Sequence, residues 1–523
     1  MPSAVSSPIA RRLAGIVLPV TALRTDSDWG VGELLDLEGL APMLERAEAR
    51  VVSVLPLLEP TPGQESPYSP LSAFAIDPIL LRLEAVEEFA DLGGRGALSS
   101  EDRAMLAEAR GSFPVRAPLV RGLKERWLRA CWVRFREEAD VERRSAFASF
   151  RAAQRSWLDE YALFRALRAA HPTGWRGWPA PLRDRDPVAL KEATRTYADA
   201  IGYRAYLQWL ASQQLQRAAE ALRARGILLG GDEPFLTAED SVDVWAHPDR
   251  YRFDATVGAP PDAFSDDGQD WGLPPYDWDR LAAEAYAPFR ARARRAAEAF
   301  DLVRVDHVVG LYRTYTRPID RTKKPFFAPA KEAAQRAQGE AVLAAMAAEG
   351  IALTAEDLGD VPDFVRTSLL EQGIYGFKVL RWEVRDGAVD PADWPPATIA
   401  TTGTHDTDTL SAWWDTLPPE GREPFLGLPS LAAVSPDRCA GFTPDVHRGL
   451  LTAVYASPSN LALIPIQDAF GLRGRINVPN SVGAHNWSWR MPWSLETMSR
   501  EAHIGAALDL LAPLARRHGR ARV

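Results

Sequence analysis

The chain has 523 residues, of which 46% are hydrophobic and 25% charged, with a formal net charge of −9. That balance is ordinary for a folded globular protein, and its acidity argues against a nucleic-acid partner, whose binders carry basic patches that release counterions. Only Cys131 and Cys439 occur, far apart and outside any CxxC spacing, so neither a disulfide framework nor a thiolate zinc site is implied and a reducing cytoplasm is the expected setting.

Near the N-terminus, Arg11 and Arg12 precede "LAGIVLPVTAL", an apolar run of signal-peptide length. No small-x-small cleavage site follows it, and "GIVLP" (15 to 19) is also the form of a first buried strand. Similar short runs recur as "VVSVLPL" (51 to 57), "ILLGGD" (227 to 232), "LVRVDH" (302 to 307), "IALTAED" (351 to 357), "FKVLRW" (377 to 382), "TIATTGTHD" (398 to 406) and "LALIPIQD" (461 to 468). They are continuously apolar rather than alternating, the pattern of parallel strands covered on both faces by helices. Amphipathic segments such as "DLEGLAPMLERAEA" and "KEAAQRAQGEAVLAAMAAEG" lie between them. Eight strand–helix units predict a (β/α)8 barrel. No run reaches the roughly 18 to 20 apolar residues of a membrane helix.

The connection from 85 to 226 is too long for a loop. Leu123, Trp127, Cys131 and Phe135 repeat in it at helical spacing, as do Trp157, Tyr161 and Phe164, which predicts a mostly helical insertion between strands 2 and 3. The expected units are 1–84 and 227–523 for the barrel and 85–226 for the insertion. A second connection, 233 to 290, is rich in Pro, Gly, Asp and Trp and is a candidate binding loop. Arg-rich stretches such as "RARARRAAEAF" read as solvated helix faces.

Chemistry in a barrel gathers at strand C-termini. Here Asp232 ends the third run, Asp306 the fourth, Glu356 and Asp357 the fifth, and His405 and Asp406 the seventh. Carboxylates converging on one mouth repel each other and lose solvation, so they call for a function. Divalent-metal binding and glycosidic-bond cleavage both use such groups. The histidines form neither HxH nor HExxH, and the nearest approach to a metal box is "HDTD" at 405 to 408. Arg304 and Asp306, two apart in a strand, share a face. A cation there repels a metal and holds a carboxylate ionised, although a salt bridge stapling two strands has the same appearance.

"VRVDHVVG" (303 to 310), "TAEDLGDVP" (354 to 362) and "TTGTHDTDTLSAWW" (401 to 414) resemble the catalytic segments of the amylomaltases, 4-α-glucanotransferases related to the α-amylases. "GIVLPVTALRTDSDWGVGELLDL", "SPYSPLSAFAIDP", "GDEPFLTAEDSVDVWAHP", "PPDAFSDDGQDWGLPPYDWD" and "IPIQDAFGLRGRINVPNSVGAHNWSWR" fall in matching order. The resemblance implies Asp306 as nucleophile, Glu356 as general acid/base and Asp406 as stabiliser of the distorted sugar. It also implies Arg304, His405, Tyr68, Asp232, Gln269, Trp271 and Asn477 as substrate contacts. Adjacent Asp357 is a rival acid by periodicity; the family pattern favours Glu356.

The implied reaction is retaining transfer of an α-1,4-glucan segment between maltooligosaccharides, with no metal or organic cofactor. Its two working carboxyls stand about 5 to 5.5 Å apart. Arg304 is expected to lower the proton affinity of Asp306, while burial and neighbouring acids raise that of Glu356. Departures from the family pattern fall at "PGQE" (62 to 65), where Gln64 stands in place of a Gly-Tyr-Gly-Asp stretch, and at Leu273 and Thr407, where asparagine is usual. They bear on donor and acceptor preference. An amylase-like hydrolase and a non-catalytic glycan-binding barrel are the alternative readings, and the sequence leaves the oligomeric state open.

Overall fold

A computed structural model describes residues 8–261, 268–479, 481 and 483–521. Residues 262–267 of "PPDAFSDDGQDWGLPPYDWD", residues 480 and 482 of the late motif, and the outermost residues of the expected units (1–7, 522–523) lie outside them. The strands run β1 Leu13–Leu18, β2 Val51–Val54, β3 Leu228–Glu233, β4 Ala255–Ala259, β5 Gln269–Leu273, β6 Leu302–Val305, β7 Thr314–Pro318, β8 Phe326–Ala328, β9 Ala352–Ala355, β10 Gly376–Val379, β11 Thr398–Thr401 and β12 Leu461–Pro465.

Eight of these form one parallel sheet in the order β10-β11-β12-β1-β2-β3-β6-β9. A parallel bridge between Thr354 and Tyr375 closes it into a barrel. Each falls on one of the eight apolar runs: "TIATTGTHD" leaves the ladder after Thr401 and "LALIPIQD" after Pro465, whereas β3 runs on to Glu233. Asp306, Glu356 and Asp406 therefore stand just past their strands, whereas Asp232 lies within β3 near its end. The N-terminal apolar run is β1, flanked by β12 and β2, so it is barrel core.

Helices fill the connection between β2 and β3, the longest being Ala117–Glu138, Arg155–Ala170 and Ala198–Ala224. Their apolar residues, among them Leu123, Cys131, Phe164 and Trp209, join barrel residues such as Ile16 and Val52 in one continuous core. Among the described residues no helix is long and apolar enough to cross a membrane.

Two sequence expectations change. The connection after β3 is not only loop: β4 and β5 pair with β7 and β8 in a four-stranded antiparallel sheet, β5-β4-β7-β8. These strands are short, β4 and β5 each carry a glycine, and the β4–β7 pairing joins segments far apart in the chain, so no local period announces them. The "RARARRAAEAF" helix, Ala287–Ala297, is solvated on one side only. Arg290 and Arg294 reach Glu349 at the surface, but Arg292 is 4% exposed and pairs with Glu233. That buried pair draws the Glu233 charge outward, away from its neighbour Asp232.

Candidate active site

The register of the barrel assembles the site. Asp232 on β3 lies directly beside Arg304 on β6, and Thr354 on β9 flanks Arg304 on its other side. Backbone bonds continue past the strand ends: Asp306 N donates to Glu233 O at 3.0 Å, and Glu356 N to Val305 O at 3.0 Å. Asp232, Asp306 and Glu356 thus leave three adjacent strands at one level, and Arg304 lies among them. Its Nη1 donates to both Asp232 oxygens at 2.7 and 2.6 Å. Its Nη2 lies 2.9 Å from Glu356 Oε2 and 3.2 Å from Asp306 Oδ1. The guanidinium is one planar fork serving three carboxylates, a geometry that a point charge cannot reproduce.

The loop after β2 folds back on itself through antiparallel bridges Leu58–Ile76 and Pro60–Pro70 and presents Tyr68. The Tyr68 hydroxyl donates to Asp232 Oδ2 at 2.7 Å and lies 3.4 Å from His405 Nδ1. Its ring stacks on His405, centroids 4.8 Å apart at 17°. Beyond β11 the chain turns tightly, with Thr407 Oγ1 accepting from Thr404 N at 3.1 Å, so the departure at Thr407 still closes its turn. His405 Nε2 stands 3.4 Å from Asp406 Oδ2, and Asn477 Nδ2 donates to Asp406 Oδ1 at 2.7 Å. Burial pushes the Asp406 carboxyl up, but the His405 charge, hydrogen bonds from His405 and Asn477, and Arg304 outweigh it and hold the group down at about 2. Asp406 is ionised throughout the ordinary pH range.

Asp306 and Glu356 hydrogen-bond to each other. Burial and repulsion by Glu356 lift Asp306 well above the usual carboxylate range in spite of Arg304. Burial also acts on Glu356, but Arg304 and the His307 amide outweigh it and take that carboxyl down. This reverses the expected allocation. The reason is geometric: Arg304 gives its closest contacts to Asp232 and Glu356, so Asp306 is the most weakly held of the three. His307, at φ 44°, turns the chain so that its N–H donates to Glu356 Oε2 at 2.9 Å.

Asp357 faces away. Its carboxylate accepts from Phe377 N on β10 at 2.6 Å, and a β-carbon on Gly376 would overlap it. Trp271 on β5 reaches the site through His307, edge to face at 4.8 Å. Gln269 is brought to Trp271, accepting from its Nε1 at 2.9 Å, and among the described residues it meets none of the carboxylates. Leu273 pairs with Val257 in the antiparallel sheet, and Gln64 is exposed in a turn. Sequence reasoning missed His307 and Arg475, whose Nη2 donates to Asp406 O at 2.6 Å; Trp487, from the tryptophan-bearing "HNWSWR" loop, has its ring 5.6 Å from Tyr68 and 5.5 Å from His405. In the "HDTD" run Asp408 pairs with Arg475 at 3.2 Å. Among the described residues no group of His, Cys, Asp or Glu is arranged to hold a metal ion.

A closed parallel barrel with carboxylates gathered around one arginine at its C-terminal mouth is the arrangement of an enzyme of the glycoside-bond class. Residues 18–496 match the 4-alpha-glucanotransferase family, and the chain belongs to it. The 4-alpha-glucanotransferase of Thermus thermophilus is 34% identical over 92% of this chain and 95% of its own length. That of Chlamydia pneumoniae is 30% identical over 93% and 92%. The amylomaltase from Streptococcus agalactiae, solved in complex with acarbose, has the same fold: TM-score 0.83, 23% identity, covering 98% of this chain and 100% of that one.

Proposed function

We propose that the enzyme cleaves an α-1,4 link in a maltooligosaccharide and passes the non-reducing fragment to the 4-hydroxyl of another glucan or of glucose, with retention. In this reading Asp306 is the nucleophile, Glu356 the general acid/base and Asp406 the carboxylate that stabilises the distorted sugar. The observation that carries it is the Arg304 fork, which binds Asp232, Glu356 and Asp306 at once beside an Asp406 held ionised.

Asp306 and Glu356 share one proton through their hydrogen bond, closer together than the about 5 to 5.5 Å expected of a retaining pair, and one acid with one base is what double displacement requires. A glycosidic oxygen entering between them takes the place of that bond, and the proton goes to Glu356. The Asp306 carboxylate attacks the anomeric carbon as the C–O bond breaks, and the leaving oxygen takes the Glu356 proton. The acceptor's 4-hydroxyl then returns a proton to Glu356 as its oxygen displaces Asp306. The oxocarbenium character between these steps is stabilised by Asp406, two bonds from Asn477 and His405. Tyr68, Asp232, Arg304 and His405 form the wall for the reacting sugar. Asn477 fixes Asp406, and Trp271, steadied by Gln269, borders the acceptor side. Two free, buried cysteines support a cytoplasmic setting.

Incubation with maltotriose tests the reading. Glucose together with a ladder of longer maltooligosaccharides is expected, whereas a hydrolase makes only shorter sugars. Absence of the ladder at every enzyme concentration refutes transfer. Asp306→Asn is expected to abolish turnover and retain maltotriose binding; turnover at the wild-type rate refutes the nucleophile assignment.

A further inference from the structure

Trp487 stands in the left-handed region at φ 57°, where a bulky side chain is a rare and costly occupant. Its N–H bonds to Ile476 O at 2.7 Å, so the strained turn is held by the same loop that delivers Asn477 to Asp406. The turn brings the indole against both rings of the Tyr68–His405 stack, at 5.6 and 5.5 Å with tilts of 47° and 41°. A tryptophan that merely anchors its loop buries its ring and finds an acceptor for its N–H. Trp487 does neither. It is half-buried, and its Nε1 has no acceptor among the described residues and is not sealed from solvent. Trp175, Trp178, Trp245 and Trp414 contrast with it, each buried and donating to a backbone carbonyl.

We infer that Trp487 is a substrate-contacting residue, whose indole N–H donates to one hydroxyl of the glucosyl unit held against Tyr68 and His405 and whose ring fixes the plane of that wall. The inference rests on the proposed function and names a specificity determinant within it.

The probes are maltotriose and its singly deoxygenated analogues, assayed with wild type, Trp487→Phe and Trp487→Gly. One neutral hydrogen bond corresponds to about 2- to 12-fold in kcat/KM. The wild type should discriminate by that factor against the analogue lacking the contacted hydroxyl. Trp487→Phe, which keeps a ring, should lose that one discrimination and retain the others. Trp487→Gly, which removes both ring and strain, should fall further in kcat/KM without a lower Tm. An unchanged pattern of discrimination in Trp487→Phe overturns the inference, as does wild-type kcat/KM in Trp487→Gly. The wild-type ladder from maltotriose is the separate control: its absence refutes the function, whereas its presence with an unchanged pattern refutes only the role of Trp487.

Discussion

Replacing Arg304 by lysine keeps the charge and removes the fork. In the native site Nη1 holds Asp232 at 2.6 and 2.7 Å while Nη2 holds Glu356 at 2.9 Å and Asp306 at 3.2 Å. An ammonium can sit at one of these two places only. Asp232, doubly bonded and nearly buried, is the stronger attractor, so the Nη2 contacts are the ones lost. Two charge-assisted hydrogen bonds at about 1.5 to 3 kcal/mol each amount to about 3 to 6 kcal/mol. At about 1.4 kcal/mol per factor of ten, kcat/KM should fall by roughly 10² to 10⁴. Initial glucose release from maltotriose measures this, with Tm confirming a folded variant. Added salt should not restore the rate, because the lost contacts are shielded from solvent. A folded Arg304→Lys enzyme within threefold of wild type would show that charge alone suffices and that the planar geometry is irrelevant.

Because Asp406 protonates only as pH falls through about 2, the acidic limb of kcat/KM belongs to the Asp306–Glu356 pair. Asn477→Ala should therefore slow the enzyme by about 10- to 100-fold through one lost charge-assisted bond and leave that limb in place; a limb that moves with the substitution shows Asp406 titrating. Asp243, half-buried and accepting from Ala73 N at 3.0 Å in the loop after β2, has its carboxyl raised by desolvation from 3.8 to about 6. Over that window the folded state binds more protons than the unfolded one, so stability falls as pH rises from 4 to 6, by at most about 3 kcal/mol. Asp243→Asn should flatten this slope in chemical denaturation, and an undiminished slope excludes Asp243 as its source. Gly376→Ala, whose β-carbon meets the Asp357 carboxylate, should lower the urea midpoint by the equivalent of about 1 to 3 kcal/mol with KM for maltotriose unchanged.

The barrel strands were legible because both of their faces are buried, which leaves each as a short, continuously apolar run with few charges in it, as in β6, where Arg304 is the single charged residue. Asp232 and Arg304 illustrate the limit. Both could be placed at strand ends, but that they are neighbours is a matter of register between β3 and β6, which a single strand does not encode. For the same reason Arg304 was assigned to Asp306, its companion in sequence, when Asp232 and Glu356 across the ladder hold it more closely. Glu356 and Asp357 follow alternation: successive side chains take opposite faces, so one enters the mouth and the other turns to β10. Trp271 lies on β5 and meets His307 edge to face. Gln269 supports it instead of reaching the carboxylates, because β5 is a strand and sets their directions. The position of Trp487 depends on a left-handed turn that neither composition nor spacing announces.

The closure of the barrel between β9 and β10 has a mechanical meaning. Neighbouring strands elsewhere share up to five register pairs, whereas this seam has one backbone bridge, the Ala355 N to Tyr375 O bond and the Asp357 carboxylate gripping Phe377 N. A side chain here takes part in a zipper that backbone mostly completes, as Asp301 does for Leu229 N at the foot of β3 and β6. Seams with few cross-links open at lower free energy than the rest of a fold, and this one runs directly beneath Glu356. Glu356 thus stands over a sparsely cross-linked seam and takes its own support from β6 and the turn after it, through Arg304 at 2.9 Å and the His307 N–H at 2.9 Å.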